Sequence, residues 1–391
     1  MTDSQLFFLI AGEASGDLLG VRLMRALRKL TGGKARFAGI GGERMLAEGL
    51  DPFFGQDELS HMGIIEVLLH LPRLLRRIRE TADEVKRRGP AALITIDSPD
   101  FSFRVAKRLK AENARVPLIH YVAPSVWAWR PGRAKKIAAF LDHLMALLPF
   151  EPEYFTKEGL ACTFVGHPIV ESEAAGKGDG KRFKERRNLP LDTPFLTVLP
   201  GSRMSEVKRL LPVFRAALHR LKKLHPRLQV AVPTVAPIAD YVRAKTCRWP
   251  VPAIVTLGDE DKYDAMAAST AALACSGTVS VELAMARLPG AIAYKANWLT
   301  AAIVRRVVKI KFATLINIMR ERFVMPEFLQ ENCTGENLAS AAHMLLTDEK
   351  ARQEQIDEFA SVSSWLGQGQ FVPSEKAAQV VLAVVKQKAL A

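Results

Sequence analysis

Leu6-Phe7-Phe8-Leu9-Ile10-Ala11-Gly12-Glu13-Ala14-Ser15-Gly16-Asp17 decides the fold class. Residues 6–11 read as a short buried strand, 12–16 as a turn, and 17–30 as a helix. A second strand is expected at 36–40, followed by strands at 91–96, 117–122 and 143–148, with helix-period segments between several of them. Strand, helix, strand in that rhythm implies parallel pairing through right-handed crossovers, hence a doubly wound α/β domain. The first turn lacks the G-x-G-x-x-G fingerprint, which disfavours a nicotinamide dehydrogenase.

The rhythm restarts further on, with strands expected at 195–199, 228–232, 253–257, 271–275 and 291–294. Between the two series, residues 173–187 hold small residues, glycines and a mixed charge run, the composition of a linker. The 391 residues therefore divide into a Rossmann-like domain at 1–172, a linker at 173–190 and a second Rossmann-like domain at 191–350. Residues 351–391 form C-terminal helices able to pack back on the first domain. Open α/β sheets bind ligands at the carboxyl ends of their strands, so two facing domains predict a central cleft.

Composition narrows the class of protein. Apolar residues make up 49% of the chain and charged residues 25%, the balance of a globular protein rather than a disordered or fibrous one. Cys162, Cys247, Cys275 and Cys333 are scattered without a C-x-x-C pair, which disfavours disulfide frameworks and structural zinc and suits a reducing compartment. The net charge is +14, which points to a polyanionic partner, nucleic acid or an anionic membrane surface. No RNP, helix-turn-helix or zinc-finger signature supports nucleic acid. No run of about 18 apolar residues is present, and the first apolar run is too short for a signal sequence, so the expected location is cytosolic.

Several turns carry chemistry. Leu199-Pro200-Gly201-Ser202-Arg203 follows a strand and precedes a helix. Gly201 permits close backbone approach, the helix start offers N–H groups, Ser202 a hydroxyl, and Arg203 a fixed positive charge, which together suit a diphosphate. An ordinary strand-to-helix turn has the same outline. Ser276-Gly277-Thr278 forms a second such turn, where Ser276 or Thr278 serves equally as a helix cap. Glu282 lies one turn beyond it and can accept hydrogen bonds from a ribose diol. In the first domain, Glu13 and Ser15 stand after the first strand, and Asp97 and Asp100 after the strand at 91–96. Asp97 is the better candidate for a general base, because Asp100 can cap the next helix. His120, His143 and His167 have no second ligand at metal spacing and read as hydrogen-bonded structural residues.

Ile64, Val67, Leu68, Leu71, Leu74, Leu75 and Ile78 recur at helical spacing beside Arg73, Arg76, Arg77 and Arg79, with Pro72 predicting a kink or two short helices. Core packing is the commonest reason for such a stripe; an interfacial membrane helix has the same pattern. Residues 298–318 repeat the combination, with Trp298 and apolar residues beside Arg305 and Arg306. Trp127 and Trp129 precede Arg130 and Arg133 in a third instance. With the net charge, three such segments favour membrane contact.

Six strings together resemble the lipid-A-disaccharide synthases, glycosyltransferases of the GT-B fold. They are Ala11-Gly12-Glu13-Ala14-Ser15-Gly16-Asp17, Ile96-Asp97-Ser98-Pro99-Asp100-Phe101, the segment from His120 to Arg130, Phe164-Val165-Gly166-His167-Pro168, Leu199-Pro200-Gly201-Ser202-Arg203 and Ser276-Gly277-Thr278. The resemblance implies transfer of 2,3-diacylglucosamine from UDP-2,3-diacylglucosamine to 2,3-diacylglucosamine 1-phosphate. The product is a β-1,6-linked disaccharide with release of UDP, at the inner face of a Gram-negative inner membrane, without metal or cofactor. It further implies that Arg203, Ser202, Gly201 and the turn 276–278 hold the diphosphate and Glu282 the ribose. Asp97 or Asp100 takes the acceptor proton, with Glu13 in reserve. Asn317 and Gln330, with Ser15, line the sugar cleft, and a homodimer is allowed for. The competing readings are another UDP-hexosamine enzyme of the same fold, such as an epimerase or a cell-wall glycosyltransferase, and a non-catalytic lipid-binding protein.

Overall fold

Two parallel sheets, each with helices on both faces, organise the chain. The computed structural model describes residues 4–60, 67–129, 132–172, 174–297 and 311–390. The chain divides into two compact units, Met1–Pro168 with Gly369–Ala391, and Ile169–Gln368.

The first unit carries β1 (Gln5–Ala11), β2 (Ala35–Ile40), β3 (Leu50–Pro52), β4 (Ala92–Ile96), β5 (Leu118–Tyr121), β6 (His143–Ala146) and β7 (Cys162–Phe164). They pair in the order β3-β2-β1-β4-β5-β6-β7, every pair parallel. Phe7, Phe8, Leu9 and Ile10 are wholly buried, as an unbroken apolar strand between two helical layers must be. The second unit carries β8 (Phe195–Leu199), β9 (Gln229–Thr234), β10 (Ala253–Leu257), β11 (Ala271–Cys275), β12 (Gly290–Tyr294) and β13 (Glu327–Leu329), ordered β10-β9-β8-β11-β12-β13. Each strand order reverses direction at one seam, between β1 and β4 in the first unit and between β8 and β11 in the second. Those seams are where a doubly wound sheet opens a crevice at its carboxyl edge.

The unit boundaries differ from the sequence expectation. Residues 173–190 are not a free linker. The helix Gly180–Glu185 buries Phe183 completely against Phe195 of β8, ring centroids 5.8 Å apart. Arg182 pairs with the buried Asp264 carboxylate at 2.7 Å. One aromatic residue inside a charge run is enough to fasten it. The C-terminal helices also divide: Glu349–Trp365 belongs to the second unit, while Pro373–Leu390 packs on the helix Ala14–Leu30 of the first.

The apolar stripe resolves in part. Pro72 lies inside one helix, Val67–Arg88. Leu74 and Ile78 are buried in the core of the first unit, so Leu74 is a packing residue rather than a membrane contact; Leu75 is half exposed. Arg73 and Arg77 both pair with Glu58, at 3.0 and 2.8 Å, and Arg76 and Arg77 with Glu80, at 2.7 and 2.9 Å. Ile64, Trp298, Arg305 and Arg306 lie outside the described residues, as do the side chains of Val67, Leu68 and Leu71. Among the described residues, no helix is long and apolar enough to cross a membrane.

Candidate active site

A cavity of about 610 Å³ opens at the seam of the second sheet. Its walls are the loop Gly201–Arg203 after β8, the turn Ser276–Thr278 after β11, Glu206, Glu282, and the segment that follows β10, including Asp259 and Lys262. Backbone conformation explains the first wall. Gly201 has φ +105°, and an added Cβ there would sit 2.6 Å from Glu206 Oε2, so glycine alone lets the loop turn close to the helix. Arg203 is the N-cap of the helix Met204–Leu224 and supplies no side-chain acceptor. Glu206 accepts from the Arg203 N–H at 3.4 Å, and Glu206 N and Val207 N donate to Arg203 O, which leaves the N–H groups of Met204 and Ser205 at the helix start for an incoming anion.

The charged groups are arranged in pairs. Arg203 is 81% exposed at its side chain and lies 3.4 Å from Glu206, a loose contact that leaves the guanidinium available. Lys262 Nζ lies 3.2 Å from Glu282 and 2.9 Å from Asp259. Burial pulls the Lys262 ammonium toward a lower pKa, but the Glu282 and Asp259 carboxylates outweigh it and hold the pKa above the ordinary lysine value. Cys275 lines the cavity floor, where burial pushes its thiol up to about 12 and leaves it unreactive.

The first sheet presents its acids at the corresponding seam. Ser15 Oγ donates to Asp97 Oδ2 at 3.3 Å, bringing the loops after β1 and β4 together. Gly12 allows this approach, since a Cβ there would lie 2.7 Å from Ser98 Oγ. Asp97 and Ser98 both adopt left-handed conformations, φ +53° and +44°, which cost non-glycine residues about 1–3 kcal/mol each. The surrounding contacts offset that cost, and the turn they maintain sets Asp97 at the carboxyl edge of β4. Glu13 is exposed beside it at the N-cap of the helix Ala14–Leu30, and Asp100 is exposed in the first turn of the helix Pro99–Ala111. Asp17, by contrast, is buried and accepts from the N–H groups of Gly42, Arg44 and Met45, at 2.9, 3.2 and 3.1 Å, a structural cap.

Asn317 differs from its sequence expectation. It is fully buried, and its amide is saturated: Nδ2 donates to Met325 O and Glu327 Oε1, and Oδ1 accepts from Val324 N and Met325 N. It shapes the loop 321–326 rather than lining a sugar cleft. Gln330 follows β13 at φ +51° and accepts from Ala296 N at 3.3 Å, joining the ends of β12 and β13.

Sequence reasoning missed Glu206, Lys262 and Glu151. Glu206 and Lys262 stand in the first turns of helices that follow β8 and β10, so the same strand-to-helix rule that found Arg203 could have found them. Glu151 had no such signal. It is buried, and accepts from Trp127 Nε1 at 3.2 Å and from Leu147 N and Leu148 N at 3.1 and 3.0 Å. Burial raises its carboxyl pKa to about 7 despite those three donors. His120 is likewise buried, 2.7 Å from Thr95 Oγ1, and burial pushes its pKa down to about 3, so its imidazole stays neutral.

Comparison with known proteins agrees with this architecture. A family model described as lipid-A-disaccharide synthetase matches residues 7–384. The lipid-A-disaccharide synthase of Rhodospirillum centenum is 55% identical over 99% of this chain and 96% of its own. That of Paramagnetospirillum magneticum is 49% identical over 98% of both chains. Among solved structures, the S. aureus MnaA–UDP co-structure superposes with a TM-score of 0.64 at 13% identity, over 99% of this chain and 97% of the other, a likeness of fold. The fold is GT-B, and full-length identity of this order leaves one assignment: the chain belongs to the lipid-A-disaccharide synthase family.

Proposed function

We propose that the chain moves 2,3-diacylglucosamine from UDP-2,3-diacylglucosamine to the 6-hydroxyl of 2,3-diacylglucosamine 1-phosphate, inverting the anomeric centre. The single observation that carries the residue assignment is the cavity at the β8/β11 seam, where Gly201–Arg203, Ser276–Thr278 and Glu282 converge. UDP occupies that cavity. The Arg203 guanidinium and the loop N–H groups take up the charge that grows on the diphosphate as the glycosidic bond breaks. Glu282 accepts from the ribose hydroxyls, and the turn 276–278 closes on the phosphate oxygens.

The first unit provides the acceptor side. Asp97 removes the proton from the attacking hydroxyl, and Ser15, by donating to Oδ2, leaves Oδ1 as the basic atom. An in-line hydroxyl, a base and a stabilised leaving group suffice for inversion. Glu13 and Asp100, both exposed at the carboxyl edge of the same sheet, contact the acceptor sugar. Both substrates carry acyl chains, so the enzyme works as a peripheral protein on an anionic membrane surface, the inner face of a Gram-negative inner membrane; the net charge of +14 favours that attachment.

The test is UDP release from UDP-2,3-diacylglucosamine with and without 2,3-diacylglucosamine 1-phosphate. Release that depends on the acceptor is expected, with one disaccharide formed per UDP. Release without acceptor, or conversion of the donor sugar with no UDP set free, would overturn the proposal.

A further inference from the structure

Lys262 stands one turn into the helix Asp259–Ala268, which begins just beyond β10. A lysine side chain is ordinarily loose, yet this one is held on three sides. Its ammonium lies 2.9 Å from Asp259 Oδ1, 3.2 Å from Glu282 Oε2 and 4.8 Å from the centroid of the Tyr263 ring. Tyr263 is itself almost wholly buried, so the ring is a fixed platform. About a fifth of the Lys262 side chain and a quarter of the Glu282 side chain remain exposed, on the cavity wall.

That arrangement acts on Glu282. A carboxylate receives two hydroxyls of a vicinal diol only when its plane is set in advance, because each oxygen must meet one donor. Lys262 engages one lone pair of Oε2, which sets the plane and leaves acceptor capacity on both oxygens. It also offsets Asp259 and Glu282, which would otherwise present two negative charges to a ligand bearing a diphosphate. Neither task requires Lys262 to touch the ligand.

We propose that Lys262 is a positioning residue that locks Glu282 for a cis-diol, and so makes the cavity selective for ribonucleoside over deoxyribonucleoside diphosphates. This deepens the proposed function and rests on it.

The experiment compares UDP with 2′,3′-dideoxyuridine 5′-diphosphate by titration calorimetry on the full chain, as wild type, Lys262→Met and Lys262→Arg. The wild type is expected to prefer UDP by roughly tenfold or more, the worth of hydrogen bonds to a charged acceptor. Lys262→Met should weaken both ligands by uncovering the two carboxylates but UDP by more, bringing the two within about threefold, and Lys262→Arg should restore most of the preference. In turnover, Lys262→Met should raise the KM for the donor with little change in kcat. A Met variant that keeps the full preference overturns the inference, and so does one that weakens both ligands equally, as general loss of structure would. A wild type that binds both ligands alike overturns it while leaving the proposed function standing. A wild type that binds neither ligand takes down both.

Discussion

Ser15 Oγ and Asp97 Oδ2 lie 3.3 Å apart, across the seam where the first sheet reverses its strand order. The contact ties two loops 82 residues apart in sequence and leaves one carboxylate oxygen of Asp97 uncommitted to Ser15. On the proposed chemistry, Asp97→Asn lowers kcat by roughly 10²–10⁴-fold with little change in donor KM. Asp100→Asn costs less, and Ser15→Ala only a few-fold. Steady-state kinetics of the three variants checks the order; equal losses in Asp97→Asn and Asp100→Asn would deny Asp97 its special role.

Arg203 is exposed, and among the described residues its guanidinium pairs with Glu206 alone, so its removal should spare the fold and strike the ligand. Arg203→Ala is expected to weaken UDP binding roughly 10- to 100-fold, the worth of a charge-assisted hydrogen bond, while thermal melting of the unliganded protein stays unchanged. Calorimetry and a melt on the same sample decide it.

Glu151 gives the protein a pH response of known sign. Its folded pKa, about 7, stands above that of an ordinary carboxyl, so ionisation is disfavoured in the folded state. The group is neutral in folded and unfolded chains at low pH. Stability is lost as pH rises above the unfolded pKa, and the loss is complete above about 7. Glu151→Gln, which cannot ionise, should therefore gain on the wild type between pH 4 and pH 8 by roughly 3 kcal/mol. Urea unfolding of both proteins at several pH values measures the difference, and parallel curves would refute the assignment.

Asn317 holds the loop 321–326 through three hydrogen bonds and Glu327 of β13 through a fourth, all from a fully buried amide. Asn317→Ala leaves two backbone N–H groups and the Glu327 carboxylate short of partners. A loss of roughly 2–4 kcal/mol of stability follows. If urea titration finds stability unchanged while donor binding fails, the amide contacts ligand after all.

How far these features could be read from the chain depends on length and burial. The bounds of β8, β10 and β11 coincide with the expected 195–199, 253–257 and 271–275, because each is a five-residue run bounded by turn residues. The strands β3 and β13 have three residues each and lie at sheet edges, too short to carry a period-2 pattern. That the loops 200–203 and 276–278 line one cavity was readable, since both follow apolar strands and such loops share the carboxyl edge. The role of Asn317 was not. A polar residue reads alike whether its partners are ligand atoms or main chain, and only the fold tells which. Phe183 was hidden for a related reason: its charged neighbours made the segment look solvated, although a single ring decides where it docks.

The helix Pro373–Leu390 belongs to the first unit, but the whole of Ile169–Gln368 is translated before it. At ribosomal speeds of about 5–20 residues per second, the apolar face of Ala14–Leu30 waits roughly 17–70 s for Ala377, Ala378 and Val381 to cover it. During that interval the nascent amino-terminal half carries an uncovered apolar helix face, the kind of surface that makes folding chains prone to aggregate. A premature stop near codon 370 would leave it permanently in that condition, with the second unit already finished.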